Sequence, residues 1–312
     1  MNEVSRKILE QVNSVIIGKE AVTEKVLMAV LAQGHVLLED VPGVGKTTMA
    51  LAFARTLGLD SRRVQFTSDT MPSDIIGFSL YNKETGRFDY KSGAVMTNLL
   101  LADEINRTSS KTQSALLEAM EEYQVTVDGH TYPLPKPFVV LATQNPVGSA
   151  GTQLLPSSQL DRFMIRTTMG YPDRQSQVDI LRERHHENPL DRLQGVVTCE
   201  ELLELIESAK QVHIADAVYD YIVDLVDATR SSELVELGVS PRGALALCRM
   251  AKAHAFVRGG DFVTPEDVYQ VFDDVCAHRL VLSAKARLGK ITARDITEQL
   301  RQQVPVPQVA QL

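Results

Sequence analysis

The sequence predicts an α/β fold: a parallel sheet flanked by helices, followed by a small all-α domain. Three observations carry that expectation. Apolar runs of strand length alternate with helical stripes through the first half of the chain. One of them, Val36-Leu37-Leu38, leads through a glycine-bearing loop into a helical pattern running from Thr47 to about Leu57. From about Asp173 onward strand signals give way to helix starts with good capping chemistry.

The loop is Glu39-Asp40-Val41-Pro42-Gly43-Val44-Gly45-Lys46-Thr47-Thr48. Gly43 and Gly45 allow a tight turn whose N–H groups converge on an anion. Lys46 adds a mobile positive charge, and Thr47 offers a hydroxyl to a magnesium ion. The helix behind the loop aims roughly half a positive charge at the same place. The candidate phosphate-binding set is therefore Asp40, Val41, Pro42, Gly43, Val44, Gly45, Lys46, Thr47 and Thr48. One departure stands out against the pattern G-x-x-x-x-G-K-[ST]: Asp40 occupies the first glycine position, where its charge is less at ease beside phosphates.

Composition bounds the rest. At 312 residues the chain is long enough for two domains, and at 44% hydrophobic and 23% charged it has an ordinary globular mix. A formal charge of −8 weighs against a general nucleic-acid binder. The local basic group Lys285, Arg287, Lys290 and Arg294 reads as a solvated helical face. Cys199, Cys248 and Cys276 match neither a disulfide framework nor a zinc spacing, which makes a reducing cytoplasm the natural home. No apolar run approaches the roughly 18 residues of a membrane span.

In chain order, Val4 to about Leu31 reads as helices broken at Ile16-Ile17-Gly18-Lys19, and Ile17 and Gly18 form a candidate wall for an adenine ring. Arg63–Phe66 is the second strand. Met71 to Val95 is an irregular insertion with a hairpin between Tyr81 and Phe88. Asn98–Glu104 is a buried strand ending in two acids. Beside the loop, Asp103 can hold magnesium and Glu104 can polarise water. Ser109–Glu122 is an amphipathic helix, and Tyr123–Leu134 a hairpin turning at Asp128-Gly129. Phe138–Thr143 is another buried strand, with Asn145 at its tip, and Leu160-Asp161-Arg162-Phe163 precedes a last one, Phe163–Met169. Thr198 with Glu201, Thr264 with Asp267, and Thr292 with Asp295 mark helix starts. Ser240-Pro241 marks another, placing Arg242 in its first turn.

These strings, LLEDVPGVGKTT, LLLADEINR, LATQNP, LPSSQLDRF and GVSPRG, resemble in order and spacing the AAA+ ATPases, specifically the MoxR family, from about Val15 to Arg301. The resemblance implies a P-loop AAA+ sheet over residues 1–172, a linker over 173–190 and a helical lid over 191–312. It implies ATP and Mg2+ as ligands, Lys46 on the β- and γ-phosphates, and Thr47 with Asp103 on the metal. Glu104 then positions water, Asn145 reads the γ-phosphate, and Arg162 acts on a neighbouring subunit, with Arg166 its rival. Arg242 is implied to contact the nucleotide of its own chain. The implied activity is ATP hydrolysis driving chaperone-like remodelling or maturation of a partner, with a von Willebrand A domain protein as partner class and a homo-oligomeric ring, a hexamer, as assembly. A nucleotide switch with little turnover and a motor on nucleic acid are the competing readings.

Overall fold

The structure, a computed structural model, describes residues 1–41, 43–145, 155–183 and 189–307. Pro42 lies outside the described residues.

Five strands form one parallel sheet: β1 (Val36–Glu39), β2 (Ser61–Gln65), β3 (Leu99–Asp103), β4 (Val139–Gln144) and β5 (Ile165–Thr167), in the order β2-β3-β4-β1-β5. The three inner strands run apolar over Val36–Leu38, Leu99–Ala102 and Val139–Ala142 because both sheet faces are covered, and turn polar only at their carboxyl ends. Val36, Leu38, Leu99, Leu101, Val139 and Leu141 pack into one core. Their alternate neighbours, Leu37, Leu100, Ala102, Val140 and Ala142, pack into another. Helices α1 (Glu3–Asn13), α2 (Glu20–Leu31) and α3 (Lys46–Thr56) cover the first face. The second is covered by α4 (Ser110–Glu122), through Leu116, Leu117, Ala119 and Met120. Strand β2 begins two residues before its expected start, because its Ser61-Arg62-Arg63 segment is exposed on the sheet edge and carries no apolar pattern.

Both expected hairpins form. Gly77–Asn82 pairs antiparallel with Arg87–Ser92, and Tyr81 faces Phe88 with ring centroids 5.3 Å apart. Gln124–Val127 pairs with His130–Pro133. In its turn Asp128 and Gly129 both take positive φ, as a two-residue Asp-Gly hairpin requires.

The C-terminal part contains α5 (Arg174–Glu183), α6 (Cys199–Gln211), α7 (Asp216–Ser231), α8 (Pro241–Arg258), α9 (Pro265–Cys276) and α10 (Ala293–Gln303). Thr198 with Glu201, Thr264 with Asp267 and Thr292 with Asp295 close reciprocal capping boxes, and Ser240 caps Gly243 N–H. The helical lid departs from expectation in one respect. Val235–Leu237 and Val281–Leu282 pair as a small antiparallel ribbon, from segments too short to show a period in sequence. In the basic group, Lys285, Arg287 and Arg294 pair with Glu233, Glu236 and Asp274. Among the described residues no helix is long and apolar enough to cross a membrane.

Candidate nucleotide site

The loop leaves the carboxyl end of β1 and turns on Gly43 and Gly45, with φ of +88° and +98°. That backbone is strained for any other residue. Among the described residues a side chain at Gly43 would meet nothing within 4 Å, so the loop is open at that position. Gly45 is the N-cap of α3 and makes no side-chain cap, leaving N–H groups at the helix start for a ligand. The Lys46 ammonium is drawn back into the loop, donating to the carbonyls of Asp40 and Val41 at 3.0 Å each. Burial lowers its pKa, while Asp40, Asp103 and Glu104 act to raise it. Val41, Val44, Thr47 and Thr48 are half-buried around it.

Asp40 has a structural task. Its carboxylate accepts the backbone N–H of Met169 and that of Gly170, the latter at 3.1 and 3.2 Å. It thereby ties the loop to the segment after β5. Gly18 approaches the same segment: at φ +71°, a Cβ there would lie 2.2 Å from Ser176 Oγ. Lys19 Nζ donates to Tyr171 O at 2.9 Å. Ile17 and Gly18, the loop, and residues 169–176 thus form one wall from three remote stretches.

The acid pair sits on the adjoining strand tips. Thr143 on β4, fully buried, donates from its hydroxyl to Asp103 Oδ1 at 2.6 Å and accepts Glu104 N–H at 2.8 Å. Glu104 is held in left-handed backbone at φ 58°. Each carboxylate also meets an arginine: Arg63 Nη2 lies 2.8 Å from Asp103, and Arg107 Nη1 lies 2.9 Å from Glu104. Asn106 brackets Asn145, accepting its N–H at 3.3 Å and donating to its carbonyl at 3.1 Å. Thr143, Arg63, Arg107 and Asn106 were not singled out by sequence. The available signal was a polar Thr143 inside an otherwise apolar strand.

Arg162 and Arg242 are not brought to this cradle. Both pair with Glu121 at the end of α4, Arg162 Nε at 2.7 Å. The neighbouring Met120 carbonyl bonds His35 Nε2, and Met164 N–H donates to His35 O, so the cluster lies before the start of β1. Four residues of strand, roughly 13 Å, separate that edge from the loop. The resemblance implied Arg242 at its own chain's nucleotide; in this structure its side chain stands with Arg162 on Glu121, at the opposite end of the strands from the loop. The reason is a clasp between the two strings. Asp161 accepts Ser240 Oγ at 3.0 Å and buried Arg279 Nε at 2.8 Å, which docks the start of α8 beside Arg162. Arg166 is engaged elsewhere, 3.4 Å from Glu39 at the end of β1.

Known proteins share this architecture. Residues 35–165 match the ATPase family associated with various cellular activities (AAA), and residues 227–300 match the AAA lid domain. A crystal structure of a candidate ATPase from Cytophaga hutchinsonii superposes with a TM-score of 0.90 at 39% identity, covering 97% of this chain and 94% of that one. The chaperone MoxR1 of Mycobacterium tuberculosis is 40% identical over 99% of this chain and 84% of its own. The chain belongs to the MoxR family of AAA+ ATPases. This MoxR-family chain is also 46% identical to the uncharacterized Bacillus subtilis protein YeaC, over 96% of this chain and 94% of that one.

Proposed function

We propose that the chain hydrolyses ATP to ADP and phosphate within a homo-oligomeric ring, a hexamer, and uses the cycle to remodel or mature a partner protein. The observation that carries this reading is the hydrogen-bonded unit Asp103–Thr143–Glu104 at the strand tips beside a glycine loop open at Gly43. Thr47 and Asp103 supply hard oxygen donors of the kind Mg2+ takes, and when bound the ion neutralises charge on the phosphate oxygens. Lys46, freed from the Asp40 and Val41 carbonyls, binds the β- and γ-phosphates. Glu104 orients the attacking water and accepts its proton as the γ-phosphorus–oxygen bond to ADP breaks. Asn145, fixed by Asn106, hydrogen-bonds the γ-phosphate.

Arg162 and Arg242 lie across the sheet from their own cradle, so we assign both to a neighbour's nucleotide. Such arginines are worth roughly 10³–10⁵ in rate. The chaperone name of the MoxR1 relative supports a protein client, and a von Willebrand A domain protein is the partner class we favour. The Glu104–Arg107 ion pair favours low turnover until a client or neighbour displaces Arg107, which leaves a slow nucleotide switch as the second reading.

The test is steady-state phosphate release by the wild type, by Glu104→Gln, and by an Arg162→Ala and Lys46→Ala mixture with ring assembly verified. Glu104→Gln should bind ATP and release almost no phosphate, and the mixture should regain activity that neither variant has alone. Equal turnover of wild type and Glu104→Gln would remove the enzymatic reading. An inactive mixture at every ratio would remove the in-trans assignment.

A further inference from the structure

A second cavity lies on the amino edge of the sheet, opposite the phosphate loop. It measures about 700 Å³, within the range of roughly 300–1,000 Å³ usual for ligand sites. The end of α2 and the start of β4 meet α6, α7 and α8 there. Three rings line it, Tyr123, Phe138 and Tyr219, together with Leu245 and the half-buried thiol of Cys248. Tyr123, Tyr219 and Leu245 remain 38, 43 and 60% exposed, so the walls present apolar surface to water.

The charges around it are of one sign. Lys136, Lys210, Arg249 and Lys252 all line the cavity, and among the described residues no Asp or Glu does. On a chain with 40 acidic and 32 basic residues this inverts the overall balance. Lys252 Nζ donates to the Lys210 carbonyl at 2.8 Å, and Lys210 reaches out to Glu207. Lys136 and Arg249 have no carboxylate partner among the described residues. An adjoining cavity of about 360 Å³ shares Gln33, Tyr123, Leu245 and Arg249 with it. There the chain supplies its own anion, Glu121, between Arg162 and Arg242. The larger cavity has the same kind of cationic wall and, among the described residues, no carboxylate in its lining.

We propose that this cavity binds a small organic anion: an aromatic or aliphatic body seated against Tyr123, Phe138 and Tyr219, carrying a carboxylate, sulfonate or phosphate held by Arg249 and the lysines. Apolar walls with a few convergent polar groups supply affinity and orientation together. Cations facing a space partly withdrawn from water attract an anion more strongly than the same cations on an open surface. The proposal does not rest on ATP hydrolysis.

The probe is 8-anilinonaphthalene-1-sulfonate, an aromatic anion, titrated into the full-length protein without nucleotide. Binding is followed by fluorescence and by iodoacetamide alkylation of Cys248 at alkaline pH, with free N-acetylcysteine in the same solution as reference. The expected result is one saturable site per chain, with Cys248 protected at least fivefold and the free thiol unchanged. The uncharged counterpart N-phenyl-1-naphthylamine should bind at least tenfold more weakly. An Arg249→Glu, Lys252→Glu variant should lose the anion while keeping the wild-type unfolding temperature; if it does not fold, Arg249→Ala should weaken binding at least threefold. Equal affinity for the charged and uncharged dyes would reduce the site to an apolar patch and overturn the proposal. So would full reactivity of Cys248 at dye saturation. Protection by an acidic tyrosine-bearing peptide and not by the dye would make the cavity a groove for protein, and would equally overturn it.

Discussion

Replacing Thr143 by valine removes one hydroxyl and almost no volume, which isolates the hydrogen bonds that join the two acids. The lost bonds are the 2.6 Å contact to Asp103 and the 2.8 Å contact from Glu104 N–H. A bond to a carboxylate contributes about 1.5–3 kcal/mol and a neutral one about 0.5–1.5 kcal/mol. Deleting both should therefore cost about 2–4 kcal/mol, at a site where Thr143 has no exposed surface. At roughly 2–4 °C per kcal/mol, the unfolding midpoint should fall by about 4–16 °C. The effect on turnover follows from the backbone. Glu104 sits in left-handed conformation, a strain of order 1–3 kcal/mol that persists only while its surroundings impose it. Freed from Thr143, Glu104 should leave its position, and a displacement of about 1 Å can lower turnover by about 10². Calorimetry and steady-state phosphate release measure the two effects, with binding of a fluorescent ADP analogue as the control that should barely change. Thr143→Ser keeps the hydroxyl and should restore both. A Thr143→Val protein with wild-type midpoint and wild-type turnover would refute the claim that this residue couples the acids.

Asp40→Gly brings the loop to the usual pattern yet removes the acceptor of the Met169 and Gly170 N–H groups. It should destabilise by about 1–3 kcal/mol and leave ADP affinity no tighter; tighter binding with unchanged stability would mean that the Asp40 charge opposes phosphate. His35 is fully buried, and burial pushes its pKa down from 6.5 to about 4. Its Nδ1 accepts Val140 N–H at 3.0 Å and its Nε2 meets Met120 O at 3.0 Å, an arrangement that needs the neutral ring. The unfolded chain takes up this proton near pH 6.5 and the folded chain only near pH 4. The contribution is whole above pH 6.5 and is lost as pH falls to 4, about 3 kcal/mol at most. Urea unfolding at pH 7.5 and pH 5 should give a smaller difference for His35→Gln than for wild type. An identical difference would exclude His35 as a source, leaving His278, whose pKa burial also depresses, to supply the slope.

Several features were legible in the residues because they depend on near neighbours. Val36-Leu37-Leu38 followed by two spaced glycines, lysine and threonine specifies strand, turn and helix within a few residues. The Asp-Gly hairpin at Asp128 and the caps at Thr198, Ser240, Thr264 and Thr292 are equally local. The exposed start of β2 and the Val235–Leu237 ribbon were not legible, since each is held by pairing with a distant strand and not by its own pattern.

The parts of a phosphate-handling loop and an acid pair at a strand end are written in the residues alone, because backbone conformation and strand burial are set by local chemistry. Which residues meet depends on how the elements pack. That packing joined Asp103 and Glu104 through Thr143, turned Asp40 onto Met169 and Gly170, and placed Arg242 with Arg162 on Glu121, far from their own loop. Those contacts run between strands and helices separated by tens of residues or more, and packing settles them where no local spacing can.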